Sequence, residues 1–250
     1  IFLGGPVTDE LANLVVAQLL FLANEREKSG ADGANDILKS LRYKRSRLIA
    51  TADAKQIALR ELLATRTMDG KMLVYVGDGS VTGPTGDELI KQTAAVAQMV
   101  GNDLGMRCAT YTHATPPQRR QELLREFERG LLQVLIAIRC LDEGVDVPAT
   151  RVAILLASAT NPRQFVQRRG RVLRKAPGKT RAEVFDMFVA PPLSALAGSD
   201  SEIAAARGLV KSQMLRASEF AALAENGPSA RRVLNELLAP LRMLDAWEGT

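Results

Sequence analysis

Five short apolar runs decide what this chain can fold into. They are Met72–Val76, Met106–Tyr111, Val134–Ile138, Val152–Ala157 and Val184–Val189. Val134–Ile138 and Val152–Ala157 are continuous in the way that suits strands buried on both faces. Helical stretches lie between the runs. Asp87–Val100 reads as helical, and Thr115-Pro116-Pro117-Gln118 reads as a capping box opening a helix that runs to Arg129 and is closed by Gly130. Strands alternating with helices of this length imply βαβ units around a parallel sheet. Ligands of such a sheet are expected at the loops that follow the strands, along its carboxyl edge.

Both flanks of the sheet region read as helical extensions. Residues 1–66 include an apolar-rich segment, Leu11–Ala23, a loop near Ser29–Asn35, a basic stretch, Leu41–Ile49, and a helical pattern, Ala52–Thr65, whose apolar positions are Ile57, Leu59, Leu62 and Leu63. After Pro191-Pro192, Ser199–Asn226 and Ser229–Met243 read as two helices separated by Asn226-Gly227-Pro228, with Leu209, Met214, Phe220 and Leu223 supplying apolar faces. The expected organisation is therefore a helical segment over 1–66, a sheet domain over 67–192 and a helical appendage over 193–250.

The class is bounded by simple counts. An apolar fraction of 46% over 250 residues is ordinary for a globular protein with ample core. No apolar run reaches bilayer length and no signal peptide opens the chain, so the expectation is a cytoplasmic protein with no membrane association. Cys108 and Cys140 sit in strand-like contexts and read as buried free thiols; with a single histidine and no CxxC, a metal site is not expected. The chain begins at Ile1 rather than Met, which reads as a piece of something longer.

A net charge of +5 is too mild to imply nucleic acid by itself, but its placement is uneven. From Arg163 to Arg181 there are eight basic residues and no acidic one. In Asn161–Arg174, NPRQFVQRRGRVLR, Pro162 suits the first helical position, and Arg163, Gln167, Arg171 and Arg174 recur at spacings of four, four and three. They share one helical face. Guanidinium is permanently charged and forks onto phosphate oxygens, so a rigid row suits a polyphosphate whose charge grows during reaction. Gly170 within the helix costs about 1 kcal/mol against Ala, which points to a close backbone contact there. A second motif, Leu141-Asp142-Glu143-Gly144-Val145-Asp146-Val147-Pro148, follows the run Val134–Ile138 and places three carboxylates near the expected Arg row.

QRRGRVLR after DEGVDVP resembles motifs VI and V of superfamily 2 helicases, in their second RecA-like lobe. The wording is most similar to bacterial DEAD/DEAH-type helicases of the XPB-like and restriction-associated branch, and the resemblance covers roughly residues 40–192. It implies an ATP-dependent DNA helicase or translocase, with ATP and Mg²⁺ held mainly by a partner RecA-like lobe, and membership in a DNA-defence system. By that resemblance Arg171 and Arg174 are arginine fingers and Gln167 senses the nucleotide. Glu143, Gly144 and Asp146 match the acidic position and the Gly-x-Asp of motif V, with Asp146 contacting ribose or coupling nucleotide to nucleic acid; Gly170 completes Q-x-x-G-R-x-x-R. The loop Gly77, Gly79 and Ser80, resembling motif IV, and the strand end Thr112–His113 would meet the nucleic-acid backbone. Arg139 stands where many relatives carry a hydroxyl residue, and would replace it by charge.

A motor of this kind also needs a GxxxxGK[ST] phosphate loop and an acidic Mg²⁺ site. Gly83-Pro84-Thr85-Gly86-Asp87-Glu88 is Gly-rich but lacks the Lys and Ser/Thr. The chain is therefore expected to supply the finger half of a composite site and to be inactive alone. The competing expectation is a non-catalytic RecA-like module that binds nucleic acid through its basic helix.

Overall fold

The structure is a computed structural model that describes residues 43, 47, 49–83, 88–138, 147, 149–157, 170, 174–189 and 200–244. Their contacts divide into two compact units, Lys55–Met187 and a second unit formed by the segments up to Ala54 and from Phe188 onward.

The first unit is built on a five-stranded sheet. In chain order the elements are α1 (Asp53–Ala64), β1 (Met72–Tyr75), the hairpin β2 (Ser80–Thr82) and β3 (Leu89–Lys91), α2 (Gln92–Gln98), β4 (Cys108–Tyr111), α3 (Pro117–Glu128), β5 (Val134–Ala137), β6 (Val152–Leu155) and β7 (Glu183–Asp186). The sheet order is β4-β5-β1-β6-β7 and every pairing is parallel, with Met72 level with both Val134 and Val152. All four residues of β1, β5 and β6 are buried, as continuous apolar runs require when both sheet faces are covered. Each of the five expected strands forms; four are trimmed by one or two residues, and the last, expected at Val184–Val189, starts one residue earlier and ends three earlier.

One face of the sheet packs Met72, Val74, Val134, Ile136, Val152 and Ile154 against Leu59 and Leu63 of α1 and Val96 of α2. Helix α1 runs antiparallel to the strands. Near its start, Lys55 Nζ donates to the carbonyl of Leu156, just past the end of β6, at 2.5 Å. Past its end, Arg66 bridges Glu183, the first residue of β7, at 2.7 Å. The helix thus spans the sheet from carboxyl to amino edge. Ile57, expected on its apolar face, is 61% exposed, because only the stripe through Leu59, Leu62 and Leu63 meets the strands.

Two local expectations are corrected. The helical reading of Asp87–Val100 fails at its start: Leu89–Lys91 is a strand, with Ile90 opposite Val81 and Leu89 opposite Thr82. The helix begins only at Gln92, after an extended Lys91. A β-branched partner across the hairpin outweighs local helix preference there. The capping box at Thr115 does not form either. The N-cap of α3 is Pro116, with no side-chain cap, while the Thr115 hydroxyl accepts the Thr112 amide at 3.1 Å. Pro117 at the first helical position has no N–H to satisfy, so a cap contributes less there. The closing glycine behaves as expected. Gly130 has φ of 76°, its amide bonds the Phe127 carbonyl and the Leu131 amide bonds that of Glu126, a Schellman ending.

The second unit contains α4 (Asp200–Leu223) and α5 (Gly227–Leu238). Val210, Met214 and Ala217 of α4 pack with Leu234 and Leu238 of α5 and with Phe188. Buried Gln213 grips Val189 from both sides, accepting its amide at 3.0 Å and donating to its carbonyl at 2.8 Å. The break between the helices falls a few residues before the expected one, and Gly227 and Pro228 open α5. A Cβ at Gly227 would lie 2.3 Å from the Ala221 carbonyl oxygen, so only glycine fits. Leu209, Met214 and Phe220 are buried as expected, whereas Leu223 at the end of α4 is 68% exposed. The expected helix Leu11–Ala23 lies outside the described residues, as does Cys140.

Candidate functional site

Parallel strands put all their carboxyl ends along one edge, and two of the expected nucleic-acid loops emerge there. Gly77–Gly79 follows β1 and Thr112–His113 follows β4, with β5 between them. Two strand spacings place these loops about 10 Å apart. Arg139 follows β5, between them in strand order, but lies outside the described residues.

Both loops are clamped by the helix that follows. Gln92, the first residue of α2, is fully buried. Its Oε1 accepts the Gly77 amide at 2.7 Å, and its own amide donates to the Gly79 carbonyl at 3.0 Å. Ser80 continues into β2, paired with Lys91. The Gly77 N–H, a candidate phosphate donor by sequence, is therefore already engaged inside the protein. At the other loop, the Thr112 and Thr115 backbones bond each other, and Arg120 of α3 donates to the Thr115 carbonyl at 2.8 Å and the His113 carbonyl at 2.7 Å. The same guanidinium lies over the Tyr111 ring at 5.7 Å. The imidazole of His113 is left exposed. Sequence reading missed both clamps, since Gln92 and Arg120 look like ordinary polar helix residues.

At the carboxyl edge the cations Lys55 and Arg120 are turned onto backbone carbonyls, of Leu156 and of His113 and Thr115. Asp78 and Lys91 approach to 4.0 Å with both side chains about 60% exposed, a pair worth little in water. The His113 side chain is exposed beside these loops.

The amino edge is different. The segment from Arg174 to Arg181 descends to the start of β7. Pro177-Gly178 occupies the centre of a turn closed by the Lys179 amide on the Ala176 carbonyl at 3.0 Å, with Gly178 at φ of 68°. Arg151, just before β6, donates to the Gly178 carbonyl at 3.3 Å, and Lys179 Nζ donates to the Arg174 carbonyl at 3.0 Å. Arg174 is exposed. Gly178-Lys179-Thr180 has the spelling of the end of a phosphate loop, but it leads into a strand, and its lysine is turned onto the Arg174 carbonyl. Gly77, Gly79, Ser80, Thr112 and His113 gather at one edge, and Arg174 belongs to the segment that descends to the other.

Gln167, Arg171, Glu143, Gly144 and Asp146 lie outside the described residues. Gly170 is helical and exposed, and a Cβ built there meets no described atom within 4 Å. The close approach expected of it is therefore not made by the described part of this chain. Cys108 is half-buried, with its sulfur 3.7 Å from the Ala97 carbonyl, and burial pushes its thiol pKa up. That is the signature of a packed thiol rather than a nucleophile.

Comparison with known proteins agrees with this layout. Residues 54–176 match the family model described as "Helicase conserved C-terminal domain". The chain is 44% identical over 64 residues to the DNA 3'-5' translocase XPB2 of Sulfurisphaera tokodaii, covering 26% of this chain and 15% of that one. It is 41% identical over 63 residues to the putative DNA 3'-5' helicase Rad25 of Haloarcula marismortui, covering 25% of this chain and 10% of that one. The C-terminal domain of the DEAD-box protein Dbp5 overlays 67% of this chain and 81% of its own at 18% identity and a TM-score of 0.43, a likeness too slight to add to the strand order itself. This segment is thus similar to the C-terminal domain of helicases. The matched stretches span only a small share of the relatives' length.

Proposed function

We propose that this chain is the C-terminal half of an ATP-dependent nucleic-acid helicase or translocase, with DNA as its track. The reading is carried by one coincidence. The family match over residues 54–176 includes Q-x-x-G-R-x-x-R, and that motif falls in the crossover between β6 and β7. In the intact motor a partner lobe would hold ATP and Mg²⁺. This chain's own contribution would be the cationic side chains Arg171 and Arg174.

Arg171 and Arg174 act as the fingers and Gln167 reports the state of the nucleotide. Glu143 and Asp146, beside Gly144, orient the guanidiniums and couple them to the track. The bound triphosphate supplies the cleavable phosphoanhydride; these side chains stabilise its developing charge and remain charged throughout. Because fingers and phosphate loop sit on different lobes, nucleotide binding closes the cleft and hydrolysis releases it. The clamped loops Gly77–Ser80 and Thr112–His113, with Arg139, move with the lobe and carry the nucleic-acid backbone. Placement in a restriction or defence system rests on the wording of the motifs alone.

The test is ATP turnover by the protein in which this chain is joined to its phosphate-loop lobe, measured without nucleic acid and with single-stranded DNA, duplex DNA or RNA. Turnover stimulated by DNA is expected. Failure to hydrolyse ATP under all four conditions would leave the non-catalytic binding module as the better reading.

A further inference from the structure

The basic loop before β7 was singled out by sequence as part of one long cationic run, and only its first residue, Arg174, is absorbed by the finger reading. The rest converges on one place. Lys71 precedes β1, Arg151 precedes β6, and Lys175, Lys179 and Arg181 precede β7. These three strands are neighbours in the order β1-β6-β7, so their starts lie about 5 Å apart along the amino edge. The backbone of Arg151 is tied to Lys71 on one side and to Glu183 on the other, by bonds of 2.9 and 2.8 Å. Arg151, Lys175 and Arg181 are exposed.

Two features make this more than a solvated basic stretch. The first is that its neighbouring carboxylates are already occupied. Asp69 and Glu183 both bind Arg66, at 3.2 and 2.7 Å, and Arg66 is itself only 22% exposed and stacked over Phe185 at 4.9 Å. One guanidinium holds both acids and offsets one of their two charges, so the four cations Lys71, Arg151, Lys175 and Arg181 outnumber the one negative charge left over. The second is that the loop is fixed: the Pro177-Gly178 turn, the Arg151 bond to Gly178 and the Lys179 bond to Arg174 all hold it. A fixed array loses less side-chain freedom on binding a polyanion than a mobile one does.

We propose that this amino-terminal edge, formed by Lys71, Arg151, Lys175 and Arg181, is a second nucleic-acid surface that grips the phosphate backbone without reading bases. It rests on the nucleic-acid part of the function proposed above and is independent of the finger assignment. Residues 174–181 present no large apolar or aromatic side chain. That segment lacks the apolar anchor a protein interface normally needs, and phosphate is the chemistry its cations match. Contacts on two edges of one lobe would let the track be held while the carboxyl-edge loops reset.

The experiment uses this 250-residue chain and a fluorescent DNA oligonucleotide, single-stranded or duplex, with anisotropy read across a salt series. The wild type is compared with Lys175→Glu/Arg181→Glu, two exposed residues, and with Arg151→Gln; thermal melting verifies folding. The double variant is expected to bind at least about tenfold more weakly, with the slope of log affinity against log salt reduced by about two. Arg151→Gln should reduce the slope by about one. Folded variants with wild-type affinity and slope would overturn this surface while leaving nucleic-acid binding itself standing. A wild-type chain that binds no DNA would overturn both. Competition by polyglutamate as effective as that by unlabelled DNA would overturn the assignment to nucleic acid in favour of an acidic protein.

Discussion

The two edges of the sheet solve different problems with the same parallel strands. At the carboxyl edge, loops after β1 and β4 are held by buried or stacked polar residues of the following helices, Gln92 and Arg120. At the amino edge, chain segments before β1, β6 and β7 carry a concentration of cations, and one side chain, Arg66, pairs with both nearby acids and offsets one of their charges. Geometric precision is concentrated at one edge and electrostatic attraction at the other.

Helix α1 ties the edges together through Lys55 at one and Arg66 at the other, with fully buried Leu63 between them. Leu63→Ala should therefore damage both edges at once, lowering unfolding free energy by about 2–5 kcal/mol in a urea titration. Equal loss of protection in amide exchange at Gly77 and Lys179 is expected, and loss at one edge alone would show that the edges are not joined through this helix. Gln92→Leu separates them. It removes the acceptor of the Gly77 amide and leaves that N–H unpaired, costing about 1–3 kcal/mol. Faster exchange at Gly77 is expected with an unchanged salt slope for DNA binding; a reduced slope would mean the carboxyl edge carries charge contacts after all.

The smallest effect concerns Cys108, on the β4 border of the sheet. Burial raises its pKa above the unfolded value, so the stability it contributes is complete below the ordinary thiol value near about pH 8.5 and is lost as pH rises through the folded value. The unfolding free energy of the wild type relative to Cys108→Ala should fall between neutral and strongly alkaline pH. A difference that stays level would place the thiol in solvent.

What was legible in the sequence follows from which forces are local. Buried parallel strands leave apolar runs that nothing else explains, so Val134–Ala137 and Val152–Leu155 stood out. Gly130 was legible because a left-handed ending favours glycine. The hairpin strand Leu89–Lys91 was not, since three residues are too few to set a period and its partner lies across a turn. Thr115 matched a capping pattern, but a pattern cannot tell which of two amides a hydroxyl will take. Gln92, Arg120 and Arg66 were invisible as organisers for the same reason: their partners are distant in sequence or are backbone atoms. The Arg row and the acidic loop were read from spacing and resemblance, and of the motif only Gly170 and Arg174 fall among the described residues.

The finger assignment is the claim on which the motor reading turns, and ATP turnover at saturating nucleotide by Arg171→Ala, in the protein joined to its phosphate-loop lobe, addresses it most directly. A fall on the order of 10³-fold or more, with DNA affinity retained within a few fold, is the predicted result. Turnover at the wild-type rate would contradict it.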